Sequence, residues 1–98
     1  MILESDIEQY FKKQVERRGA LVWKFSSPNQ AGVPDRIVLM PGGQVAFAEI
    51  KAPGKKPRPL QQAIFEKMAR LDFPVWVIDS YADTDDFIKY YVVQGCLT

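Results

Sequence analysis

Apolar residues recur along this chain with two different periods, and each change of period marks an element. Leu3, Ile7, Tyr10, Phe11 and Val15 follow the three-to-four spacing of one helical stripe, which predicts an amphipathic helix over about residues 3–18, stopped by Gly19. Ser5 and Glu8 match a Ser-x-x-Glu capping box, which offers Ser5 as an alternative start of the regular helix. Ala20 to Phe25 is rich in strand-forming residues, and Ser26 to Gly32 is turn chemistry. Two further apolar runs meet at Pro41-Gly42-Gly43 and predict a hairpin over residues 33–51. A basic, proline-rich loop, Ala52 to Arg58, then leads to Pro59 at the first turn of a helix whose stripe is Leu60, Ile64, Met68 and Leu71. Pro74 to Asp79 reads as a buried strand and Asp83 to Val93 as a closing helix with acids in its first turn. The order α-β-β-β-α-β-α places the chain in the α/β class.

The register of the hairpin follows from the two-residue period of a strand. Val45, Phe47, Glu49 and Lys51 share one face, and Asp35, Ile37 and Leu39 share one face of the preceding strand. A three-residue Pro41-Gly42-Gly43 turn sets Leu39 opposite Val45, Ile37 opposite Phe47 and Asp35 opposite Glu49. A two-residue turn would send the two acids to opposite faces. The odd turn is expected, because it alone unites them. The other face of the second strand is apolar as well, which predicts a central strand covered by helices on both sides.

Composition narrows the chemistry. Ninety-eight residues suit a single domain, 1–98, and the chain has no histidine and one cysteine, Cys96. Histidine-based acid–base catalysis, catalytic triads built on histidine and internal disulfides are excluded. No apolar run approaches the ~20 residues of a membrane span and no signal-peptide pattern opens the chain, so a cytoplasmic, intracellular protein is expected. The net charge of +1 hides an asymmetry. Residues 1–70 hold twelve Lys/Arg against seven Asp/Glu, and residues 71–98 hold one Lys against five Asp. A basic body suits a polyanionic partner.

Two carboxylates facing one another across neighbouring strands repel unless they are protonated or bridged, and a divalent cation bridges them. Oxygen-only ligation points to Mg²⁺ or Mn²⁺. Lys51 lies on the same face as Glu49 and ~7 Å further along the strand, where it can orient or deprotonate a water or offset charge on a phosphate. Singly, each residue has an ordinary explanation: Glu-x-Lys as a solvated pair, Asp35 as a turn acid after Pro34, Gln61 as a solvent-facing helix residue. Together they carry more weight, because charges set in apolar strands are costly to bury without a use.

Pro34-Asp35, a hairpin, then Glu49-Ile50-Lys51 resembles the PD-(D/E)xK nuclease signature. The surrounding Gly32-Val33-Pro34-Asp35 and Phe47-Ala48-Glu49-Ile50-Lys51-Ala52-Pro53 are similar to the VRR-NUC family, stand-alone and phage-type, and the resemblance runs from the first helix through Val77-Ile78-Asp79. It implies a restriction-endonuclease-like core, a mixed central sheet flanked by helices, and metal-dependent cleavage of DNA phosphodiesters by a dimer that acts on branched junctions. It further implies Asp35, Glu49 and the Ile50 backbone carbonyl as metal ligands, Lys51 as the catalytic lysine and Gln61, or its neighbour Gln62, as the glutamine of the following helix. An acid from the first helix is implied too; Glu4, within the apolar stripe, is favoured, and Glu8, at its edge and with a capping role beside Ser5, is the alternative.

Lys55, Lys56 and Arg58 cluster beside the proposed site, with Lys24 and the Ser26 to Gly32 loop as further DNA contacts; phosphate contacts of this kind position a substrate without reading bases. Trp23, Phe47, Phe73 and Trp76 are expected in the core. Phe87 to Val93 is apolar around most of its helix, more than one buried stripe needs, and part of it is expected to serve a homodimer. The competing reading is a non-catalytic DNA-binding or protein-interaction module on the same fold.

Overall fold

A computed structural model describes all 98 residues. Its elements are α1 (Glu4–Glu16), β1 (Leu21–Lys24), β2 (Arg36–Met40), a single 3-10 turn (Pro41–Gly43), β3 (Gln44–Ile50), α2 (Pro59–Arg70), β4 (Val75–Ile78) and α3 (Tyr81–Val93). The order and class are those read from the pattern. The sheet runs β1-β2-β3-β4, antiparallel up to β3 and parallel between β3 and β4. The parallel pair needs a crossover, and α2 supplies it.

The hairpin has the expected odd turn. Met40 pairs with Gln44, Leu39 with Val45 and Ile37 with Phe47. Gly42 and Gly43 both take positive φ, 79° and 76°, a conformation that side chains resist.

One sheet face, carrying Val22, Val38, Met40, Ala46, Ala48, Ile50 and Ile78, is sealed by Ile7, Phe11 and Val15 of α1 and by Phe87, Ile88 and Tyr91 of α3. Trp76 packs against this core, its indole N–H donating to the Tyr91 hydroxyl at 3.1 Å. Tyr10 donates to Asp85 at 2.8 Å and ties the two helices together. At the open edge of the sheet, Glu16 Oε2 accepts the Val22 N–H at 3.2 Å, while Lys12 Nζ donates to the Val22 carbonyl at 3.2 Å and to Glu16 at 3.0 Å.

The second face departs from expectation, because no helix covers most of it. The crossover helix α2 is the only helix on that side, and it lies at the β4 end of the sheet. Leu21, Trp23 and Val45 are therefore 49, 53 and 40% exposed, and Phe73 is exposed too, so Trp23 and Phe73 are not core residues. Phe47 lies between Phe25 and Phe73, with ring centroids 5.5 and 6.3 Å away.

Two helix details also differ. The inward positions of α2 are Gln61 and Ile64, with Phe65 and Met68 half-buried, while Leu60 and Leu71 are exposed. The helix is turned so that a glutamine takes a place on the buried stripe. At the start of α1, Asp6 Oδ2 accepts the Leu3 N–H at 2.7 Å, and the helix begins at Glu4. The Ser5–Glu8 box does not form, because Leu3 is the N-cap and Ser5 lies inside the first turn, and the Glu8 carboxylate is held by Arg36 at 2.9 Å instead.

Candidate active site

The β2–β3 ladder ends at Arg36 and Ala48. Beyond that rung the strands fork. Asp35 stays with β1, its carbonyl accepting the Phe25 N–H at 2.8 Å, whereas Ile50 pairs with Ile78 of β4 and Lys51 N–H donates to the Ile78 carbonyl at 2.9 Å. Asp35 and Glu49 occupy the fork as the odd turn requires, and their side chains replace the missing rung. Glu49 Oε1 accepts the Asp35 N–H, and Asp35 Oδ1 accepts the Ile50 N–H, both at 3.1 Å. Each carboxylate is thereby fixed by the main chain of the opposite strand. An ionised carboxylate oxygen has two lone pairs, so this reciprocal clasp leaves acceptor sites free on both acids.

Glu49 is 4% exposed. Its Oε2 accepts from Gln61 Nε2 at 3.0 Å and lies 3.4 Å from Lys51 Nζ. Gln61 Oε1 in turn accepts from Lys51 Nζ at 3.2 Å and from the Arg58 N–H at 2.9 Å. The position needs a side chain that donates with one atom and accepts with the other; an amide does both, whereas an ionised carboxylate could accept from Lys51 and Arg58 but not donate to Glu49. This identifies Gln61 as the inward glutamine. Gln62 is exposed and donates to the Pro57 carbonyl.

Burial pushes the Asp35 carboxyl up to about 6, and the charges of Glu49 and Glu4 push the same way, against the Ile50 N–H and the Arg36 guanidinium, which favour the ionised form. The charged form of Asp35 is thus disfavoured where it stands. Oxygen donors that are fixed in place, with unused lone pairs and a charge that burial disfavours, fit a hard divalent cation. Glu4 is exposed and close enough to act on Asp35, although no three acidic side chains converge into one cluster.

Arg36 is the polar residue that sequence reading passed over. It is 8% exposed, with Nη2 at 2.9 Å from Glu8 Oε2 and Nη1 donating to the Asp35 carbonyl at 2.8 Å and lying 3.3 Å from Asp35 Oδ2. A signal was available: alternation puts residue 36 on the same face as Val38 and Met40, and a charge there needs partners.

Lys55, Lys56 and Arg58 are exposed on the loop between β3 and α2, next to Lys51. A cleft of about 500 Å³, lined by Met1 to Glu4, Ala52, Pro53 and Lys55, opens beside them. Lys24 is not part of this group. It pairs with Arg36 and follows Val22 in alternation, which places it on the helix-covered face, away from the acids.

No family model matches the chain. "Putative nuclease p44" of Acyrthosiphon pisum secondary endosymbiont phage 1 is 41% identical over 80 residues, which span 82% of this chain and 86% of that protein. A solved structure described as a VRR_NUC domain superposes with a TM-score of 0.83 at 32% identity, covering 90% of this chain and 96% of the other.

Proposed function

The chain belongs to the VRR-NUC family of nucleases, and from that premise we propose that it is a divalent-metal-dependent DNA endonuclease that resolves four-way junctions as a homodimer. The observation that supports this reading best is the fork, where Asp35, Glu49, Lys51 and Gln61 meet on diverging strands. A non-catalytic module would have no use for a buried acid whose charge is left only partly offset.

In this reading Asp35, Glu49 and the Ile50 carbonyl hold Mg²⁺ or Mn²⁺, with Glu4 available from α1. The cation supplies charge to polarise a phosphodiester and to favour hydroxide at neutral pH. The protein's own groups do the rest. Lys51 Nζ, aimed at the acids by Glu49 and Gln61, orients the attacking water and offsets the negative charge that grows on the phosphoryl oxygens as a new P–O bond forms and the opposite one breaks. Gln61 keeps Lys51 and Glu49 in register. Lys55, Lys56 and Arg58 follow the strand backbone, which favours recognition of shape over sequence.

The second copy is placed on the open sheet face. That surface is apolar, free of charge between Leu21 and Val45, and continuous with the fork, so two copies packed there carry their sites on one assembly. The Lys12–Glu16 cap on Val22 occupies that residue's outward groups on β1 and disfavours joining through this edge. Tyr90, Val92 and Val93 on α3, the helix on the opposite sheet face, form a second exposed apolar patch that is not continuous with the fork. Trp23→Glu is therefore expected to convert a dimer into an 11.2 kDa monomer in light scattering; a variant that still dimerises would exclude this face.

Cleavage of labelled linear, flap and four-way DNAs in Mg²⁺, in Mn²⁺ and in chelator tests the reaction itself. Symmetric metal-dependent cuts in the four-way substrate are expected. Absence of cleavage on every substrate would overturn the assignment.

A further inference from the structure

Arg36 is tied to both partners of the fork's outer edge, and its chemistry goes beyond a structural ion pair. The guanidinium is almost fully buried, and its two terminal nitrogens serve two acids: Nη1 reaches the Asp35 carbonyl at 2.8 Å and Asp35 Oδ2 at 3.3 Å, while Nη2 reaches Glu8 of α1 at 2.9 Å. The other Asp35 oxygen is held by the Ile50 N–H. Both oxygens of the acid thus have a fixed donor, and each keeps a lone pair that points elsewhere.

We propose that Arg36 is a positioning residue that acts through Asp35, setting the carboxylate's orientation for the divalent cation, with Glu8 serving as the anchor that aims the guanidinium. This inference rests on the metal-binding reading of Asp35 and Glu49. It also separates the two acids of α1: Glu8 is committed to Arg36, which leaves Glu4 as the helix acid free to face the site.

The fork geometry of the guanidinium is what the role requires. A lysine ammonium at the same position is a single point donor and cannot span Asp35 and Glu8 together. Partners of this outer kind typically account for 10–100-fold in metal affinity. Glu8→Gln still offers a carbonyl oxygen to Nη2 and preserves the aim.

The test is Mn²⁺ affinity by titration calorimetry, in the absence of DNA, on the wild type, Arg36→Lys and Glu8→Gln, with cleavage measured against Mn²⁺ concentration. Arg36→Lys is expected to bind Mn²⁺ about 10–100-fold more weakly and to recover most of its cleavage rate at saturating Mn²⁺, and Glu8→Gln to stay within about threefold of wild type. Should Arg36→Lys fail to fold, the double variant Glu8→Met with Arg36→Met removes both charges of this half-buried ion pair together, so that neither is left without its partner, and the same loss of affinity is expected. Wild-type affinity in either folded Arg36 variant would overturn the inference. Absence of Mn²⁺ binding by the wild type would instead overturn the metal site itself.

Discussion

Asp35→Asn is expected to abolish cleavage while making the metal-free protein harder to unfold. The two effects share one cause. In the fold Asp35 titrates near 6 against an ordinary value of 3.8, first because of burial and then because of Glu49 and Glu4. Between those two values the folded chain binds more protons than the unfolded chain, so stability falls as pH rises through the window, and the full penalty is present above about pH 6. Two pH units correspond to ~3 kcal/mol. Asp35 is about one-third solvent-exposed, and screening brings this to roughly 1–2 kcal/mol. Asparagine removes the charge and still accepts the Ile50 N–H. In chelator at pH 7.5 its Tm should be roughly 5–10 °C above wild type, and the difference should vanish at pH 3.5. Cleavage should drop by at least about 10³-fold, the order expected when a charged group that holds several kcal/mol of transition-state stabilisation is lost. A lower Tm for the variant at pH 7.5 would mean that the hydrogen bonds around Asp35 outweigh its desolvation.

Lys51→Met separates the reacting apparatus from the acids. Methionine preserves most of the apolar stem and removes the ammonium that lies 3.4 Å from Glu49 and 3.2 Å from Gln61. Single-turnover cleavage at saturating Mn²⁺ should fall about 10²–10⁴-fold, the range for one group that stabilises developing charge or transfers a proton. Mn²⁺ affinity should be unchanged or slightly tighter, since a cation next to the site has gone. If Mn²⁺ binding were lost together with cleavage, Lys51 would instead be the residue that holds Glu49 in place.

Much of this site was legible before any coordinates. The two-residue period and the odd Pro41-Gly42-Gly43 turn put Asp35 across from Glu49, and backbone geometry left little freedom. Gln61 was reached only through resemblance; on pattern alone it reads as a solvent-facing residue. Its burial depends on how far α2 rotates about its own axis, which Leu60 and Leu71 misreport because both are apolar and exposed. Arg36 left a signal, since alternation sets it on the face of Val38 and Met40. Its partners were not legible, because Glu8 comes from α1 and Asp35 from beyond the paired rungs, where alternation gives no register. The apolar run along β3 correctly implied two nonpolar faces, but hydrophobicity records that a surface avoids water and says nothing of whether this chain or another one covers it.

The small cap on β1 bears on how such a molecule survives in a crowded cell. Sheet edges are templates: an outward N–H and carbonyl invite any extended chain to dock and copy the pattern. On this four-residue strand, Lys12 and Glu16 occupy both outward groups of Val22. Beside an apolar face that is left exposed, this cap removes one template for strand addition at the β1 edge.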